Sequence, residues 1–156
     1  MIRLNHNVQE WRSKARLSAR QTALLDEDDE LMVEMRNQLF EGDDVNFTLL
    51  YNSRNIRRKM TSDVIEAFRR FLGGLDEESR RKCRLILHTT PVDDNGTDLP
   101  KVISHLMPEY KENFIISGNR LTEQQLNAFY NIADATILIS SNEGFGLGTA
   151  ESISAG

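Results

Sequence analysis

Cysteine is almost missing from this chain. Its single copy, Cys83, excludes an internal disulfide and cannot build a thiolate metal cluster. Nor is there a grouping of His, Asp and Cys that reads as a metal site, so no metal is expected. No apolar run approaches the roughly 18 residues of a membrane span. Positive charge is not in excess: the net charge of −5 argues against general binding to nucleic acid or to anionic membranes. The opening "MIRLNHNVQEWRSKAR" is polar and basic and lacks the apolar core of a signal sequence, so a reduced, cytoplasmic setting is expected. Internal repeats and low-complexity segments are absent. What remains, 156 residues with 39% hydrophobic and 28% charged, fits a soluble globular chain of about one domain.

Two regimes meet near Gly42. Residues 1–45 read as a helical leader or linker, with helix-like stretches at Leu17–Leu25 and Leu31–Phe40. Leu31, Met35 and Leu39 repeat every fourth position and share one helical face. The acids Asp26 to Glu30 precede that face, where a helix N-terminus favours negative charge. From residue 46 to 156 the text alternates. "VNFTLLYNS", "CRLILHT", "NFIISG" and "ATILIS" are strand candidates. "SDVIEAFRRFL", "LPKVISHLM" and "TEQQLNAFYNIA" are helix candidates, the last capped by Thr122, and "GTAESISA" begins another. Strands alternating with helices at these lengths imply an α/β chain with a doubly wound, Rossmann-like parallel sheet.

Open parallel sheets bind ligands beyond the carboxyl ends of their strands. Of the four loops this selects, "NSRNIRRK" after the first strand and "SSNEGFGLG" after the fourth hold the least ordinary residues. Gly144, Gly146 and Gly148 bare the main chain so that its N–H groups can approach a ligand. The helix starting near Gly148 offers free N–H groups and a positive dipole end, suited to a diphosphate. Glu151 falls in its first turn, where a carboxylate can accept from vicinal hydroxyls such as those of a ribose. Taken singly, Glu143 reads equally as an exposed loop acid and Glu151 as a residue reaching back to cap its own helix. In the first loop, Arg54, Arg57, Arg58 and Lys59 crowd a helix N-terminus, whose dipole they oppose. A bound anion accounts for them; a solvated basic turn is the competing reading for Arg57 and Arg58.

Two familiar phosphate-binding patterns fail. "GFGLGT" comes close to Gly-x-Gly-x-x-Gly, but its third glycine falls one position early and no acid follows about 20 residues on. A Gly-x-x-x-x-Gly-Lys-[Ser/Thr] loop does not occur.

"NEGFGLGTAESISAG" resembles instead the Glu-x7-Glu signature of retaining GT-B glycosyltransferases of the "glycosyl transferases group 1" family. The likeness extends from about Asn46 to Gly156, with "YNSRNIRRKMTSDVIEAF" similar to the family's first strand, its Arg-x4-Lys phosphate loop and the next helix. The resemblance implies one Rossmann-like half of a GT-B fold, the donor-binding domain, cut short after the second glutamate. It implies that Arg54 and Lys59 hold the diphosphate of a nucleotide-sugar such as a UDP- or GDP-sugar, and that Glu143 faces the transferred sugar. Gly144, Phe145, Gly146 and Leu147 would line sugar and phosphates, Glu151 would bind the ribose, and Gly118, within Ser117–Arg120, would lie near the base. This sequence departs from the family's usual residues at Ser53, Met60, Gly148 and Ser152.

The implied reaction moves a sugar to an acceptor hydroxyl, on a saccharide, lipid or protein, with retention at the anomeric carbon. Negative charge grows on the departing diphosphate, which Arg54, Lys59 and the helix start are suited to stabilise without a cofactor. An acceptor-side domain is also implied, and without it the chain is expected to be inactive. A non-catalytic nucleotide-sugar-binding module is the alternative, and a scaffold associating through the Leu31–Leu39 face is a further rival.

Overall fold

The structure, a computed structural model, describes residues 27–155. The expected helix at Leu17–Leu25 lies outside the described residues. Helix α1 (Glu27–Phe40) begins inside the acidic run and ends in a turn where Glu41 and Gly42 take left-handed backbone, with φ of 50° and 89°. Gly42 suits that role because it lacks a Cβ.

Strands β1 (Phe47–Asn52), β2 (Cys83–His88), β3 (Phe114–Ser117) and β4 (Ala135–Thr136) form one parallel sheet in the order β3-β2-β1-β4. Alternate strand residues face opposite sides, as the two-residue period of a strand requires. Leu50 and Ile86 pack with Met35, Phe40 and Phe129 on one face, while Tyr51, Leu85 and Leu87 pack with Val64, Ile65, Phe68 and Leu72 on the other. Both faces are therefore covered, which explains strands that read as nearly unbroken apolar runs. The chain has the α/β, Rossmann-like architecture that its alternation implies.

Helix α2 (Thr61–Gly73) carries β1 over to β2 on the second face. Its stripe buries Val64, Ile65, Phe68 and Leu72, each worth roughly 1.5–3 kcal/mol of transfer free energy. Phe71 is the exception to that stripe: it stays 43% exposed and packs against the rings of Phe47 and Phe68. A short helix α3 (Glu77–Arg81), capped by Asp76, precedes β2. Helix α4 (Leu99–Leu106), capped by Asp98, leads to β3 on the same face as α2. Helix α5 (Glu123–Ile132) crosses the opposite face to reach β4. Thr122 and Gln125 close a reciprocal capping box at its start.

The Leu31, Met35 and Leu39 face of α1 packs into the same cluster as α5 residues Ala128, Phe129 and Ile132. It is thus covered within the chain, which removes the basis for the scaffold reading. Strand β4 is shorter than "ATILIS" implies. Only Ala135 and Thr136 pair with β1, and the Ile137 N–H still bonds the Leu50 carbonyl at 2.8 Å. Beyond it the chain turns its donors elsewhere: the Ser141 N–H and Ser140 hydroxyl bond the Arg58 carbonyl in the loop after β1. No helix among the described residues is long and apolar enough to cross a membrane.

Because α2 carries the chain from β1 to β2 on one face and α5 carries it from β3 to β4, on the far side of β1, on the other, the carboxyl ends of β1 and β4 flank the crevice where such sheets bind ligands. A final helix, α6 (Leu147–Ala155), starts at that crevice.

Candidate functional site

The loop leaving β1 is held from below and from the side. Buried Tyr51 donates its hydroxyl to the Lys59 carbonyl at 3.1 Å and shares a 2.9 Å hydrogen bond with the Thr61 hydroxyl. Buried Asn55 donates to the carbonyls of Thr90 and Thr97, at 3.1 and 2.6 Å, and its own Oδ1 accepts from the Thr97 N–H. Gly96 fits against this latch only because it lacks a side chain: a Cβ there would stand 2.0 Å from the Asn55 carbonyl oxygen. A short 3-10 turn, Arg57–Lys59, then presents Arg58 and Lys59, and Met60 ends it in left-handed backbone with φ of 49°. A side chain in this conformation is strained, so glycine would occupy that position more easily.

The loop leaving β4 is tied to this turn. The Arg58 guanidinium donates to the Asn142 carbonyl at 2.9 Å and approaches Glu143 Oε2 at 3.4 Å. Lys59 Nζ donates to Glu143 Oε1 in an ion pair whose lysine is largely shielded and whose glutamate is partly exposed. That ammonium holds the Glu143 carboxyl below its ordinary range, against the smaller opposing effect of burial. Gly146, at φ 75°, then turns the chain into α6, and its carbonyl accepts from the Thr149 and Ala150 N–H groups.

Helix α6 starts at Leu147, one residue before the expected Gly148, so Glu151 stands just past its first turn. Its carboxylate does not cap the helix. Oε2 accepts from the Tyr130 hydroxyl of α5 at 2.8 Å, and that hydroxyl accepts from Asn52 Nδ2 of β1, also at 2.8 Å. Burial pushes the Tyr130 phenol up to about 12, with the Glu151 carboxylate adding to the rise and Asn52 opposing it. Gly148 lets α6 come this close: a Cβ there would meet the Asn52 carbonyl oxygen at 3.2 Å and the Tyr130 hydroxyl at 3.8 Å.

Between the two loops lies a cleft of about 430 Å³, lined by Asn52 and Ser53 from the end of β1 and by Lys59, Glu143, Phe145 and Glu151. Gly146, Leu147, Gly148, Arg58 and Leu138 complete it. No family model and no curated protein matches this chain. Among solved structures the fold has a counterpart. The N-terminal domain of trehalose-6-phosphate phosphatase from Candida albicans aligns at TM-score 0.66 and 16% identity, over 95% of this chain and 31% of that one. The likeness shows the fold, and this chain spans less than a third of that neighbour's length.

The cleft gathers Arg58, Lys59, Glu143, Phe145, Gly146, Leu147, Gly148 and Glu151 of the residues singled out in the sequence. Arg54, Arg57, Gly118 and Gly144 do not join them. Arg54 is turned away: its Nε donates to Asp93 Oδ2 at 3.0 Å, and it borders a neighbouring hollow of about 860 Å³ shared with Arg57 and the start of α2. The Asn95 N–H, and after it Arg54, holds the Asp93 carboxyl below its usual range. Gly118, at the end of β3, is packed on Pro91, where a Cβ would meet the ring at 3.0 Å. Gly144 sits at the exposed tip of its loop, with nothing within 4 Å of a built Cβ. Sequence reasoning did not single out Asn52, Ser53, Tyr130 or Leu138. Asn52 and Ser53 lie at a strand end, a signal available beforehand; Tyr130 reads as one more apolar residue of α5.

Chemically the cleft offers one ammonium, one guanidinium, a helix start with its free N–H groups, two carboxylates and an exposed aromatic ring. That set suits a ligand carrying both phosphate and hydroxyl groups.

Proposed function

We propose that this chain is the donor-binding part of a retaining glycosyltransferase. It binds a nucleoside-diphosphate sugar, of the UDP- or GDP-sugar kind, and passes the sugar to an acceptor hydroxyl supplied across an acceptor-side domain. The observation that carries the reading is the shared cleft: Lys59 from the loop after β1, and Glu143, the Gly146–Gly148 helix start and Glu151 from the stretch after β4, come from two segments far apart in the chain and line one cleft at the ends of β1 and β4. A Rossmann-like sheet uses that location for nucleotides.

In this reading Lys59 and the start of α6 face the diphosphate and stabilise the charge that grows on it as the glycosidic bond to phosphate breaks. Glu143 exchanges its contact with Lys59 for the hydroxyls of the sugar. Glu151 accepts from the ribose. Arg54 contributes only by leaving Asp93. The Phe145–Leu147 main chain and the Phe145 ring line the sugar side, and Gly118 lies toward the base.

Calorimetric titration of the chain with UDP- and GDP-sugars tests binding, and a transfer assay on the same chain tests the need for an acceptor-side domain. Saturable binding without turnover is expected. Absence of binding to either nucleotide class overturns the reading. A second reading, a non-catalytic nucleotide-sugar module, is favoured by one observation: Lys59 is neutralised by Glu143 and Arg54 by Asp93. Binding that persists without turnover even beside an acceptor domain selects it.

A further inference from the structure

Tyr130 is nine-tenths buried, yet its hydroxyl lies at the edge of the cleft, between Asn52 of β1 and Glu151 of α6. The polarity of this chain is set by its ends. An amide nitrogen can only donate and a carboxylate can only accept, so the phenol takes a hydrogen bond from Asn52 and gives its single proton to Glu151. Glu151 Oε2 is thereby committed to the protein. Glu151 Oε1 has no hydrogen-bond donor among the described residues, and Glu151 lines the cleft. An anchored carboxylate with one open oxygen selects a ligand that brings a hydroxyl donor to a defined point.

We infer that Tyr130 is a positioning residue which, through Glu151, makes the cleft discriminate ribonucleotides from 2′-deoxyribonucleotides. The inference rests on the nucleotide reading of the cleft and adds to it the residue that sets sugar selectivity. Gly148 belongs to the same device, because its missing side chain lets α6 bring Glu151 within bonding distance of the phenol. Removing the phenol proton leaves the carboxylate free to swing to water on its exposed side, and the ribose hydroxyl loses a fixed acceptor.

The test titrates the full chain with UDP, GDP and their 2′-deoxy forms, in wild type and in Tyr130→Phe. For the base that binds, wild type is expected to prefer the ribonucleotide by about tenfold, the size of one charge-assisted hydrogen bond. Tyr130→Phe should cut that preference to within about threefold, losing ribonucleotide affinity while deoxynucleotide affinity holds. A merely structural loss lowers both affinities together and leaves the ratio intact, which overturns the inference. Where Tyr130→Phe disturbs folding, Glu151→Gln alone is read: its amide, with one acceptor held by the Tyr130 hydroxyl, offers no second acceptor to the ribose, so the ribonucleotide preference should fall to within about threefold, and an unchanged preference overturns the inference. Where both variants fold, the two changes should be non-additive in the ratio; independent effects overturn the inference. If wild type binds no nucleotide, both this inference and the functional reading fail. If it binds and the Tyr130→Phe ratio is unchanged, only the inference fails.

Discussion

Lys59 and Glu143 neutralise each other across the cleft, one from the turn after β1 and the other from the loop after β4. The contact places a protein carboxylate where a phosphate would compete for the same ammonium. A nucleoside diphosphate without its sugar therefore gains when Glu143 is neutral. Glu143→Gln is expected to bind UDP or GDP about two- to fivefold more tightly than wild type, the range of a partly exposed ion pair. Calorimetry reads this directly, and equal or weaker binding in the variant contradicts it.

The same pair makes stability depend on pH with a defined sign. Lys59 lowers the Glu143 carboxyl in the folded state, so unfolding raises its proton affinity. Its contribution is complete above the ordinary glutamate range and is lost as pH falls through the lower, folded value. The stability difference between wild type and Glu143→Gln should be constant from neutral pH down to that range and shrink below it. Denaturant melts at several pH values check this; a difference that grows on acidification runs against the assigned sign.

Met60 offers a test of the turn that presents Lys59. Left-handed backbone costs a side-chain-bearing residue about 1–2 kcal/mol, partly offset by the greater freedom glycine has when unfolded. Met60→Gly should stabilise the chain by roughly 0.5 kcal/mol, and Met60→Val, whose branched Cβ suits this conformation least, should destabilise it by about 1 kcal/mol. Thermal or denaturant unfolding reads both. Destabilisation by glycine would show that the Met60 side chain has a packing role larger than its strain.

Gly96 guards the latch beneath the loop. A Cβ placed 2.0 Å from the Asn55 carbonyl oxygen meets backbone, which cannot rotate away. Gly96→Ala should cost about 2–3 kcal/mol by overpacking and displaced hydrogen bonds. A change under about 0.5 kcal/mol in denaturant unfolding is the contrary result.

Much of this was readable in advance, for reasons that differ by residue. The runs at Phe47–Asn52 and Cys83–His88 are apolar on both alternations because each strand is buried on both faces, and the Thr122 to Gln125 spacing announces a capping box. Local chemistry sufficed there. It did not suffice at β4, where "ATILIS" has strand chemistry throughout but loses its ladder after Ile137 because the next donors bond the Arg58 carbonyl. In the site, Lys59 and Glu143 were both legible as chemistry, but their ion pair spans 84 positions and depends on which loops the topology brings together. Arg54 shows the reverse. Its place at a strand end beside Lys59 suggested a shared target, yet Asp93, 39 positions away, draws it toward another hollow. Tyr130 was hidden for a third reason: seven-eighths of such a side chain is apolar, and only its hydroxyl, facing Asn52 and Glu151, belongs to the cleft.

The most direct measurement is a titration of the wild-type chain, Lys59→Ala and Glu151→Ala with UDP and GDP, with folding of each variant verified by circular dichroism. One of the two nucleotides should bind wild type saturably, and each substitution should weaken it by at least about tenfold, as expected when a charged hydrogen-bonding group is removed from a ligand. Affinity left unchanged by both substitutions, or no binding by wild type, would contradict the claim that these residues grip a nucleotide in one cleft.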